Sequence, residues 1–195
     1  QVLTTDGAGN LTWTTVSGGG TTSGYASAGI EFEPTASNTR AIAIGSAANS
    51  TGPDTLALGT GSNSVSTNGI AVGNGSNANG DDGVAVGTFA SSGNRSVAIG
   101  VNTSSPGTNG GGIAIGDGAR VSETTGDGSN NTSGLAIGNY TQAWGGSVAI
   151  GNGASANTVS GMCIGSSTIE SDAWNTLVFG HFATIKPGGG GSVIL

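Results

Sequence analysis

Few side chains in this sequence could do chemistry. The only histidine is His181 and the only cysteine is Cys163. A nucleophile–base–acid arrangement needs a histidine placed by other elements, and His181 sits among aromatic residues with no partner at metal-ligand spacing. A single cysteine excludes a disulfide within the chain; its position in a run of small and apolar residues reads as a buried free thiol. Asp81, Asp82, Asp117 and Asp127 lie in turn-rich segments. They follow neither the twelve-residue EF-hand spacing nor the Gly-Gly-x-Gly-x-Asp spacing of calcium-binding β-rolls, so they read as turn formers. Acids such as Asp54 and Asp82 are spaced so that stacked coils could align them, the one route to a glycosidase-type carboxylate pair. Nothing else in the sequence supports that pair. The expectation is a non-enzyme with no cofactor and no metal.

Composition points the same way. Of 195 residues 40 are glycine, only 8% are charged, and the net charge is −7. Four basic residues (Arg40, Arg95, Arg120 and Lys186) are too few to neutralise a phosphate backbone or to form a polybasic membrane patch. No apolar run approaches the roughly 18 residues that span a bilayer. Nucleic-acid binding and membrane insertion are therefore not expected. Low charge with abundant Gly, Ser, Thr and Asn is also the composition of flexible segments, but disorder does not place apolar residues regularly.

Here the placement is regular. A quartet of apolar, small, apolar and glycine recurs ten times: Ile42-Ala43-Ile44-Gly45, Leu56-Ala57-Leu58-Gly59, Ile70-Ala71-Val72-Gly73, Val84-Ala85-Val86-Gly87, Val97-Ala98-Ile99-Gly100, Ile113-Ala114-Ile115-Gly116, Leu135-Ala136-Ile137-Gly138, Val148-Ala149-Ile150-Gly151, Met162-Cys163-Ile164-Gly165 and Leu177-Val178-Phe179-Gly180. The steps between glycines are 14, 14, 14, 13, 16, 22, 13, 14 and 15 residues. Three residues after each glycine stands a small one: Ala48, Ser62, Ser76, Ala90, Thr103, Ala119, Thr141, Ala154, Thr168 and Ala183. Small residues recur two positions later in most copies, as at Ser50, Ser64, Ala78, Ser92 and Ala156.

Period-two alternation means strand. Val97 and Ile99 share one face and Ala98 the other. Strands this short are stable only when stacked on copies, so the repeat predicts an all-β parallel β-roll of about ten coils, each about 4.8 Å from the next. Each glycine fits a turn that needs positive φ. One coil of about 14 residues buries little apolar area at roughly 25 cal/mol per Å², against an ordering cost of about 1–2 kcal/mol per residue. Both strand faces are uncharged, as expected if one meets the coil interior and the other a neighbouring chain. Self-association follows.

The Ser-Val-Ala-Ile-Gly string at 96–100, repeated at 147–151, resembles the head repeat of trimeric autotransporter adhesins. The resemblance covers about residues 41–183. It implies a left-handed roll associating as a homotrimer, with the apolar pairs from Ile42/Ile44 to Val148/Ile150, and Ile164, as structural core positions and not ligand contacts. No heptad stalk, signal peptide or four-stranded membrane anchor accompanies the repeat in this sequence, which begins at Gln1 without a methionine, as a fragment would. Gln1 to Trp13 reads as strand, Asp-Gly/Gly-Asn turn, strand, and resembles a short β unit of bacteriophage tail-fibre and related virion-fibre proteins.

The expected organisation is a hairpin and linker at 1–23, a lead-in or cap strand at 24–40 with Ile30, Phe32, Glu31 and Glu33 alternating, coils at 41–187, and a Gly-rich tail with a closing strand at 188–195. Trp174, Phe179, His181 and Phe182 enrich the last coils in aromatics, which fits a cap or a junction to another domain. The 22-residue step inserts about eight residues around 123–133, and insertions in solenoids form surface loops. Tyr140 and Trp144 follow that loop directly and are candidate receptor contacts. The leading expectation is a trimeric segment of a bacteriophage tail or virion fibre, a rigid spacer or host-attachment surface. Its partners are copies of itself, other fibre or baseplate proteins, and a glycan or protein receptor. The alternative is a head segment of a bacterial trimeric autotransporter adhesin at the cell surface. An ice-binding or glycan-processing solenoid is a third reading, disfavoured because the loops break any flat array of one residue type.

Overall fold

The computed structural model describes residues 2–5, 11–14, 32–107, 110–122, 133–158, 160–170, 173, 175–188 and 191–195. Ile30, Glu31, Asp127, Trp174 and the inserted segment at 123–132 lie outside them. Val2–Thr5 and Leu11–Thr14 pair antiparallel as a hairpin. From residue 35 onward, every described strand belongs to one of two parallel ladders of eleven strands each.

The broad ladder contains the ten quartets, which number the coils: coil 1 at Ile42–Ile44, coil 2 at Leu56–Leu58, coil 3 at Ile70–Val72, coil 4 at Val84–Val86, coil 5 at Val97–Ile99, coil 6 at Ile113–Ile115, coil 7 at Leu135–Ile137, coil 8 at Val148–Ile150, coil 9 at Met162–Ile164 and coil 10 at Leu177–Phe179. Each pairs in register with the next, first residue to first and middle to middle, as in Val84↔Val97 and Ala85↔Ala98. Val193–Ile194 closes this ladder on coil 10. The narrow ladder runs from Thr35–Ala36 through Asn49–Ser50 and on to Thr184–Ile185. Of the expected lead-in, Phe32 lies at a bend before the strand Thr35–Ala36 and is 61% exposed.

The two ladders face each other across a thin interior, and this decides which side of each strand points inward. Ala43, Ala57, Ala71, Ala85, Ala98, Ala114, Ala136 and Ala149 are fully buried, as are Cys163 and Val178 at the same position in coils 9 and 10. They meet the small residues of the narrow ladder, such as Ser50, Ser64, Ala78, Ser92 and Ala156. None of the twenty larger quartet residues is buried within the chain. The apolar pairs assigned to the core, including Ile42/Ile44, Leu56/Leu58 and Val97/Ile99, therefore lie on the outside of the coil. A Leu-sized side chain does not fit between ladders spaced for Ala and Ser. Only toward the C-terminal end does the interior admit Val121, Ile169, Val178 and Ile185. Val121 lies in coil 6, whereas Ile169, Val178 and Ile185, with Ile194 at the closing strand, fill the last coils. Phe182 is 86% exposed and does not cap it.

The repeat glycines have φ between 101° and 147°, a region that L side chains rarely occupy. They are required for a second reason as well. A Cβ on Gly87 would stand 2.2 Å from the Gly100 carbonyl oxygen, and one on Gly116 would stand 2.2 Å from that of Gly138. From Gly45 to Gly165 each glycine lies directly on the glycine of the next coil, so the column up to that point admits no side chain.

Two residues further on, most coils hold a second residue in the left-handed region: Ala47, Gly61, Gly75, Phe89, Asn102, Gly118, Tyr140, Gly153 and Phe182, at φ 52–67°. The coil 9 turn is one residue shorter. There Ser167 is buried and Thr168 is paired with Ser155 in the ladder, so Ser167 and not Thr168 takes the inward place. The opposite edge of the roll has its own left-handed positions at Arg40, Asp54, Asn68, Asp82, Arg95 and Asn175.

Candidate interaction surfaces

Four surfaces run the length of the roll: the outer faces of the two ladders and the two turn edges. The outer face of the broad ladder is apolar in every coil. Ile42, Leu58, Ile70, Ile99, Ile113, Met162 and Phe179 are each 37–40% exposed, and their strand mates are partly exposed. At this density the large residues form one contiguous stripe, far larger than the isolated exposed apolar residues normal on soluble proteins.

The outer face of the narrow ladder is polar apart from Trp144. Asn49 donates from Nδ2 to Oδ1 of Asn63 at 2.8 Å, and Asn63 does the same to Asn77 at 3.0 Å. The register then continues through Ser91, Ser104, Arg120, Gln142, Ser155, Thr168 and Thr184. Stacking identical amides satisfies each donor with the next acceptor, while leaving this face wettable.

The Gly52–Thr55 edge is charged and polar. Arg40 forms a bidentate ion pair with Asp54 in the next coil, and Asn68 donates to Asp82 at 2.9 Å. The guanidinium hydrogen bond holds the Asp54 carboxyl below its usual range, against a weaker opposing effect of desolvation. Asp54 and Asp82 do fall in one column, two coils or about 10 Å apart. A general acid needs its pKa raised, and Asp54 is moved the other way. Along this edge the 13-residue step into coil 5 and the 16-residue step after it leave a cleft of about 320 Å³ between Asn79, Ser91, Gly93 and Pro106. The Ser92 hydroxyl behind it is buried without a hydrogen-bond partner. Among the described residues no group of three or more His, Cys, Asp or Glu could hold a metal ion.

Tyr140 and Trp144 are not brought together. They stand at opposite ends of the strand Gln142–Trp144, Tyr140 in the turn after Gly138 and Trp144 on the outer face of the narrow ladder beside Ser122. Tyr140 is 65% exposed and Trp144 36%. Sequence reasoning missed two residues equivalent to Tyr140. Phe89 and Phe182 occupy the same place two residues after a repeat glycine and are likewise exposed and left-handed. Counting from each glycine would have found them. Cys163 is buried, its thiol donating to the Ser167 carbonyl at 2.9 Å, and burial pushes its pKa up.

Residues 36–62, 66–90 and 91–119 match the YadA head domain repeat. The chain resembles the head repeats of trimeric autotransporter adhesins. The matched stretches span coils 1–6, and coils 7–10 continue the same two ladders beyond them. The roll is thus an adhesin-like head built from stacked coils. A search of curated proteins found no match to the chain.

Proposed function

We propose that this adhesin-like head is a non-enzymatic, homotrimeric attachment segment, three rolls meeting through the apolar outer faces of their broad ladders. The observation that carries this reading is the asymmetry between the two outer faces. One strand side in each coil is given to the Ala interior, yet the other side, with two large apolar residues per coil, is left facing outward. A single chain gains nothing from that arrangement, whereas covering the stripe recovers roughly 25 cal/mol for each Å² removed from water. The polar narrow ladder and both turn edges then face solvent. Extracellular exposure suits a surface so poor in charge and so rich in hydroxyl and amide groups. Attachment through repeated coils in three copies multiplies weak contacts.

Within this reading the segment belongs to a bacteriophage tail or virion fibre, joined to other fibre or baseplate proteins and facing a glycan or protein receptor on the host. The N-terminal hairpin, which resembles a unit of such fibres, supports that assignment. A head of a bacterial trimeric autotransporter adhesin is the second reading, favoured by the family resemblance itself. Light scattering on the purified protein tests the core of the proposal. The expected mass is three times the 18.4 kDa chain; a monomer at micromolar concentration overturns it. The genes flanking the coding sequence separate the two locations, virion structural genes supporting the first and a downstream membrane-anchor domain the second.

A further inference from the structure

We propose that the turn edge carrying Phe89, Tyr140 and Phe182 is a binding site for an extended neutral polysaccharide lying parallel to the roll axis. The inference rests on the attachment reading above and names the ligand class of that surface. The three aromatics occur in coils 4, 7 and 10, every third coil, and so recur at about 14 Å along the edge. They are exposed at 60%, 65% and 86%.

Each occupies a left-handed position at φ 52–58°, where four other coils hold glycine and where a bulky side chain is disfavoured. Placing a large ring there is unfavourable for the backbone and exposes apolar surface to water. Packing explains only part of this. The Phe89 and Tyr140 rings lie over Gly75 and Gly118 of the preceding coils, but Phe182 has no such glycine beneath it and packs edge-on to His181 with ring centroids 4.6 Å apart. Strained, exposed residues of this kind are a mark of function.

The ligand class follows from what lies between the rings. The turns along this edge hold Asn102, Asn139 and Asn152, all exposed, which offer both donors and acceptors to hydroxyl groups, and, besides the rings, one large exposed apolar residue, Val101. No Lys or Arg stands at these turn positions, and Asp117 does, which disfavours a polyanion. A protein partner is anchored by clustered residues in a desolvated pocket, whereas these rings are dispersed along a straight polar edge. A linear chain whose sugar rings present apolar C–H faces at intervals matches both features. The edge also lies beside the broad ladder and not on its outer face, so covering the apolar stripe leaves it accessible.

The test is native gel electrophoresis of the full chain through gels containing dextran, mannan, galactan or the polyanion alginate. Wild-type protein is expected to be retarded by at least one of the three neutral polymers and not by alginate. The triple variant Phe89→Gly, Tyr140→Gly and Phe182→Gly is expected to lose that retardation, its apparent affinity falling at least tenfold. Glycine is the residue other coils hold at this position, so the variant is expected to keep the wild-type mass and a melting midpoint no more than a few degrees lower. Free migration of wild type in all three neutral gels, retardation by alginate alone, or undiminished binding by the triple variant each overturns the assignment. A triple variant that loses trimer mass also overturns it, by showing the edge to be a contact between subunits. A monomeric wild type that still binds through these rings would sink the trimer while leaving the polysaccharide site standing.

Discussion

Glycine acts here in two distinguishable ways, and substitution separates them. Gly87 needs both its φ of 131° and an empty place against the Gly100 carbonyl, whereas Gly61 has φ 64° and an added Cβ there would meet nothing within 4 Å. Gly61→Ala is expected to cost only the left-handed penalty of about 1–2 kcal/mol. Gly87→Ala must also push two coils apart and is expected to cost several kcal/mol more or to prevent folding, as measured by thermal or denaturant unfolding. Cys163 stands where eight other coils hold Ala. Its raised pKa keeps the thiol protonated at neutral pH, so the native protein is expected to react with a thiol reagent at least tenfold more slowly than the denatured chain. Asp54 supplies a pH dependence. Its folded pKa is depressed, so its contribution is present above the unfolded carboxyl pKa and is lost as pH falls through the folded value. The stability difference between wild type and Asp54→Asn, small because the pair is exposed, is expected to vanish in acid.

At the scale of the strand, one alternation serves two surfaces. Ala98 inside and Val97 with Ile99 outside are consecutive residues of a three-residue strand, yet changes on the two sides have different consequences. Ala98→Leu overpacks an interior with no room for it, and is expected to destabilise each chain by about 1–3 kcal/mol or more, seen as a lowered melting midpoint. Ile99→Asp leaves the coil interior untouched and places a charge on the apolar stripe. It is expected to lower the solution mass from trimer toward monomer, with the far-ultraviolet strand signal lost only to the extent that the single roll is unstable alone. Much of this element was legible in the residues. The strand positions follow from the quartet, and the small residues of the narrow ladder from their constant distance past each glycine. Thr168 is the exception, one residue off its inward place because the coil 9 turn is shortened, a change of backbone path that leaves no residue-type signal.

For the whole molecule, each coil contacts chiefly its two neighbours, as in other solenoids. Removing residues 60–73, one full period from Gly59 to Gly73, is expected to leave a folded roll one coil shorter. Removing residues 60–66 destroys the register and is expected to abolish cooperative unfolding; circular dichroism and a melting curve on each deletion decide this. The steps of 13, 16 and 22 residues show where length variation is tolerated. In described residues it falls at the Gly52–Thr55 edge and at turns, while the ladders stay in register.

By itself the sequence determined the period, the strand type and the turn glycines, because each of these is a local consequence of residue type and spacing. It left open which strand face points inward. Alternation shows that Val97 and Ile99 oppose Ala98, but not which side meets the second ladder. That was decided by the separation of two ladders that come together only in the folded chain, too close for anything much larger than Ala, Ser or Cys over most of the roll. The same stacking turned Phe89, Tyr140 and Phe182, far apart in sequence, into one column, since residues 42 or more positions apart become neighbours along an edge only when the coils are superposed.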